Sequence, residues 1–214
     1  MKHFISLFIA FLITLSWTLP ASVRCDDIPP AHKESGNARA GLQSGWMCLT
    51  TKKTVVYYQS EADLETLNEK LKVRRRSGFL GLFGGKESGS VTERLRKKID
   101  YIFESAQSLL DMYNCKSKIK IMAYPKKDGV NSAYADIVSK YKFSSTRTDH
   151  AAFYFHKLET VYVSLETLTE GILAHELAHA VIDHYFLIRP PPKVAEMLAQ
   201  YVDKHLKRET ESRR

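Results

Sequence analysis

Two histidines four residues apart, with a glutamate directly after the first, form the segment His175-Glu176-Leu177-Ala178-His179. In a helix, residues four apart lie on one face, about one turn from each other. His175 and His179 can therefore hold one Zn²⁺ between their imidazoles, with Glu176 placed as general base toward a water at the same metal. Catalytic zinc usually takes three protein ligands and leaves one position for water. Glu196, seventeen residues after His179, is the candidate third ligand. The alternative for Glu196 is an ordinary acidic residue in a helix first turn, favoured there by the helix dipole. Burying two histidines and a glutamate without partners is costly, so a shared metal explains their grouping better than two surface histidines do.

These residues need elements to position them. A helix is expected from about Thr167 to Tyr185, with Leu173, Leu177, Ala180, Val181 and His184 on one face. His175, Glu176, His179 and Asp183 fall on another. Arg189-Pro190-Pro191-Pro192 stops that helix and reverses the chain. A last helix from about Lys193 to Lys207 then returns with Glu196 in its first turn. Met197, Leu198, Tyr201, Val202 and Leu206 form its apolar stripe, and Ala199 is small enough to let the two helices approach. Upstream, Thr54 to Tyr58 is β-branched and aromatic and reads as a strand. Ser60 caps a helix to about Lys72, and Ser90 with Glu93 opens a long helix to about Tyr113. Lys118 to about Tyr124 alternates charged and apolar residues at its start, as a half-buried strand does. A short helix is expected over Ala133–Tyr141. Ala151–His156 and Thr160–Ser164 read as a hairpin.

Beyond the two histidines and the glutamate, His175-Glu176-Leu177-Ala178-His179-Ala180-Val181-Ile182-Asp183 resembles the zinc helix of the thermolysin family in its pattern H-E-L-x-H-A-V-x-D. More broadly the chain is similar to gluzincins, whose third ligand is a glutamate on the following helix. Glu196-Met197-Leu198-Ala199-Gln200-Tyr201-Val202 resembles the E-x-L-A-x-Y segment of small, peptidase-MA-like members. The resemblance covers roughly residues 150–207. It implies an α+β, zincin-like fold: a small mixed sheet, a zinc-binding active-site helix and a following C-terminal helix. It also implies a zinc metallopeptidase with one Zn²⁺ per chain, metal ligands His175, His179 and Glu196, and Glu176 as catalytic base. Peptide or protein would be the substrate, bound by strand addition along Ala151–His156, with a purely structural sheet edge as the alternative. Asp183, Gln200, Tyr201 and His205 are candidates for orienting ligands or stabilising the transition state, and Tyr185 and His150 join Tyr201 and His205 as oxyanion candidates. Two departures stand out. Gln200 occupies the position of an aspartate that orients a zinc-bound histidine in thermolysin-type enzymes. It can accept an imidazole N–H but brings no charge. Residues 197–214 are also too few for the helical C-terminal domain of those enzymes. A zinc-stabilised binding or assembly module without turnover, and a zinc amidohydrolase acting on cell-wall peptide, are the competing functions.

The rest of the chain sets the context. Lys2 and His3 precede an apolar run from Phe4 to Leu19, then Pro20 and small residues. This reads as a secretory signal peptide over 1–25, so the protein is expected to be exported, periplasmic or extracellular. The run of 16 residues is short of the roughly 20 that span a bilayer, and no membrane span is expected after cleavage. Residues 26–45 read as a flexible arm and 46–214 as one domain. The three cysteines are Cys25, Cys48 and Cys115. Removal of Cys25 with the signal would leave Cys48 and Cys115 to pair as a disulfide. The formal net charge is +8. The basic runs carry no interleaved aromatics, and export argues against nucleic acid as a partner. Residues 73–90 join Arg74-Arg75-Arg76 to Phe79-Leu80-Gly81-Leu82-Phe83-Gly84-Gly85 and read as a flexible excursion, with a lid over the groove as the sharper alternative. Nothing in the sequence fixes the oligomeric state.

Overall fold

The computed structural model describes residues 45–73, 89–142 and 149–211. Five helices and one small mixed sheet make up this part of the chain. The expected signal peptide, most of the flexible arm and the Gly-rich stretch at 74–88 lie outside the described residues.

Strands β1 (Met47–Thr50), β2 (Thr54–Tyr58), β3 (Ile119–Tyr124), β4 (Ala152–Phe155) and β5 (Thr160–Ser164) form a sheet in the order β1-β2-β3-β5-β4. β2 and β3 are parallel, as are β3 and β5. The outer strands β1 and β4 run antiparallel to their neighbours. Side chains alternate between the two faces with period two. Val56, Ile119, Ile121, Val161 and Val163 enter one core, and Tyr57, Met122, Tyr124 and Tyr162 enter the other. The charged-apolar alternation at Lys118-Ile119-Lys120 reads as a half-buried strand. Instead β3 is central and buried from Ile121 onward, because helices cover both faces.

Helices α1 (Glu61–Lys70), α2 (Val91–Leu110), α4 (Glu170–Tyr185) and α5 (Pro192–Glu211) lie on the first face, and α3 (Lys127–Tyr141) lies on the second. Three starts are written in the sequence. Ser60 and Asp63 cap each other reciprocally, Ser90 Oγ accepts from Glu93 N at 3.2 Å, and Thr169 Oγ1 accepts from Ile172 N at 3.2 Å. α3 begins six residues earlier than the expected Ala133. Its N-cap, Lys126, makes no side-chain cap bond, so the usual start signal is missing there.

The expected Cys48–Cys115 disulfide does not form. Cys48 packs on the second face with Trp46 and Val55, whereas Cys115 packs on the first. The sheet stands between them. Cys115 is a free thiol that donates from Sγ to the Ser117 carbonyl at 3.4 Å, and burial pushes its pKa up.

Candidate metal centre

α4 is the best-buried helix of the fold, packed against α5, α2 and β4. Leu173, Leu177, Ala180 and Val181 fill the first-face core, and so do Ala174, Ala178 and Ile182. The helix is therefore sandwiched rather than buried along one stripe. The strip carrying His175 and His179 opens outward, and Glu176 beside it is buried. Alanines at 174, 178, 195 and 199 leave room for α5 to lie close against α4. The turn through Arg189-Pro190-Pro191 redirects the chain, and Val194 N and Ala195 N donate back to the Pro191 carbonyl to start α5.

This packing brings His175, His179 and Glu196 together. The two imidazole Nε2 atoms are 3.2 Å apart. Glu196 Oε2 lies 3.6 Å from His175 Nε2 and 3.4 Å from His179 Nε2. Zinc bound tetrahedrally at ~2.0–2.1 Å holds its ligand atoms about 3.3–3.4 Å from one another. Two imidazole nitrogens and one carboxylate oxygen at this spacing fit Zn²⁺ in both chemistry and size. Burial, and then the neighbouring His175, hold the His179 pKa below the usual imidazole value, which favours the neutral form that ligates. Burial works to raise the Glu196 carboxyl. The Gln200 amide and the two imidazoles outweigh it and keep the carboxyl ionised below its ordinary range.

Gln200 takes a different role from the one the sequence points to. Its Nε2 donates to Glu196 Oε1 at 2.9 Å. It therefore orients the carboxylate, leaving Oε2 toward the histidines, rather than accepting from an imidazole.

A cleft of about 440 Å³ opens over these groups, within the size range of small-molecule sites. Its floor carries His175, Glu176 and His179, and Glu196 stands on the α5 side. The opposite wall is β4, with Ala152, Phe153 and Tyr154, preceded by His150. The His150 ring lies against Tyr134 with centroids 3.9 Å apart, and its backbone N–H donates to Asn131 Oδ1 at 2.8 Å. Asp183 lies one turn beyond His179. It accepts from the Tyr154 hydroxyl at 3.1 Å and pairs with Arg189. Burial and the Asp183 charge push the Tyr154 pKa up, and burial with Arg189 pushes that of His156 down. Asp183 thus ties the edge strand, the motif helix and the α4–α5 turn into one wall.

Tyr201 and His205 do not line the cleft. They stack on each other with centroids 3.8 Å apart, and His205 Nδ1 is 2.8 Å from the Tyr201 carbonyl. Tyr185 is exposed and sits edge-on to Phe186. Of the four oxyanion candidates only His150 faces the cleft. Tyr154, His156 and Arg189 are cleft residues that sequence reasoning passed over. The period of two along the strand, which puts Tyr154 on the same face as Ala152, was a signal available for Tyr154. Compared with family models, with curated proteins and with solved structures, the chain matches none.

Proposed function

We propose that the protein is a zinc-dependent metallopeptidase of the gluzincin type with a zincin-like fold. The observation that carries this reading is the triangle of His175 Nε2, His179 Nε2 and Glu196 Oε2, with sides of 3.2–3.6 Å. Buried Glu176 opens onto the same cleft. Zn²⁺, when bound, supplies a Lewis acid that polarises a scissile carbonyl and acidifies water. Glu176 takes the water proton and returns it to the leaving nitrogen. Gln200 holds Glu196 by one oxygen, which keeps the other on the metal side. Among the oxyanion candidates, His150 is the one that borders the cleft, its ring held against Tyr134. β4 is the last strand of the sheet and borders the cleft. Its outer edge supports an extended peptide bound by strand addition. The N-terminal run Phe4–Leu19 supports action after export.

The deciding experiment measures zinc per chain in purified protein, then cleavage of a peptide library with and without chelator. One zinc per chain and chelator-sensitive cleavage are expected. A protein that binds no zinc overturns the reading. A zinc protein that cleaves no peptide replaces it with a metal-stabilised binding module.

A further inference from the structure

Eight large hydrophobic side chains stand exposed among the described residues, and seven of them fall between Tyr185 and Tyr201. Scattered exposed apolar residues are ordinary, but seven within one short stretch at the α4–α5 junction point to an interaction surface. At its tip, in the connection from α4 to α5, Leu187 is fully exposed and Ile188 is 86% exposed. Neither is tucked against the fold. Phe186 and Tyr185 stand behind them at the end of α4.

The first turns of α5 extend the surface. At about 100° per residue, Val194, Met197 and Tyr201 fall within one narrow stripe, and all three are exposed. Lys193 and Lys204 flank this stripe on one side and are also exposed. Glu196 lies beyond the lysines, turned toward His175 and His179. Asp183 is occupied by Arg189 and Tyr154. The surface therefore combines a protruding aliphatic pair, aromatic side chains behind it and flanking lysines.

We propose that this face docks on an anionic lipid surface, with Leu187 and Ile188 inserted among the acyl chains and Lys193 and Lys204 against the headgroups. A projecting aliphatic tip suits a soft apolar phase, and tyrosines and phenylalanines suit the headgroup level behind it. Lys193 and Lys204 supply the attraction to acidic lipids. Arg189, Pro190 and Pro192 belong to the same turn and also wall the cleft. Docking by the tip thus sets the cleft beside the membrane surface, where peptide segments emerging from a bilayer would meet it. The docking itself does not depend on the metal.

The test is co-sedimentation of the full chain with vesicles of phosphatidylcholine alone and of phosphatidylcholine mixed with phosphatidylglycerol. Binding to the mixed vesicles is expected, weakened by added salt. The double variant Leu187→Asp/Ile188→Asp should bind at least about tenfold more weakly. Lys193→Glu/Lys204→Glu should also weaken binding, and Tyr113→Ser, an exposed aromatic elsewhere, should not. Leu187→Trp gives a second readout through a blue shift of its emission on the mixed vesicles. The proposal is overturned if the mixed vesicles are not bound, or if binding persists unchanged in the Leu187/Ile188 variant. It is equally overturned if Leu187→Trp shows no shift, or if the patch serves only to form a dimer that the same variant breaks apart.

Discussion

In the proposed mechanism Glu176 and the two histidines stand close together but carry separable work. Glu176→Gln keeps the size of the side chain and removes the base. Zinc content should stay at the wild-type level while hydrolysis falls about 10²–10⁴-fold. His179→Ala removes a ligand and should abolish zinc binding, as elemental analysis would report. Gln200→Leu deletes the donor that fixes Glu196 Oε1, and a chelator competition should show zinc affinity lowered about 10–100-fold. The histidine pair was legible because helical periodicity alone puts positions four apart on one face. Glu196 was legible because the prolines force a reversal. Tyr154 and Arg189 were hidden, because only the tertiary register of a strand and a turn brings them to Asp183. Tyr201 and His205 were misplaced for a reason the sequence does contain. Five and nine residues beyond Glu196, they lie about 140° and 180° around the helix from it.

At the level of elements, the fold depends on a few end groups and close approaches. Thr169 caps the helix that carries the motif, and Thr169→Ala should cost about 1 kcal/mol in denaturant unfolding. Gly129 sits in the first turn of α3, where a Cβ would run into the base of the Tyr124 ring. Gly129→Ala should therefore destabilise by about 1–2 kcal/mol, even though alanine favours helix. Hydrophobic periodicity revealed α2, the hairpin of β4 and β5, and the helical pair α4–α5. It missed β1, whose Met47-Cys48-Leu49-Thr50 is short and lies on the sheet edge. It also undersized α3, where Gly129 and an uncapped start resemble a loop. The disulfide expectation failed because cysteine counting carries no information about which face of a strand a residue takes.

For the molecule as a whole, the three donors join the two helices that close one side of the core. A metal held between α4 and α5 binds the native state and not the unfolded chain, so it should add stability by mass action. At a thousandfold excess over the dissociation constant this amounts to about 4 kcal/mol. Thermal unfolding should accordingly shift upward by several degrees with zinc, in wild type and in Glu176→Gln alike. His179→Ala should show no zinc-dependent shift.

The parallel pairing of β2 with β3 has a kinetic counterpart. Thr54 meets Ile119, and β3 must then accept β5, so the sheet closes only after distant parts of the chain have found one another. Such long closures are slow, whereas a helical hairpin forms from near neighbours. The donor set lies wholly within that hairpin, between His175 and Glu196. If the proposed site takes zinc, the metal would clamp α4 to α5 before the sheet is complete and give the late strands a prepared surface to dock on. Stopped-flow refolding should then be faster with zinc than without. An effect confined to the unfolding rate would instead place metal capture after the sheet has closed.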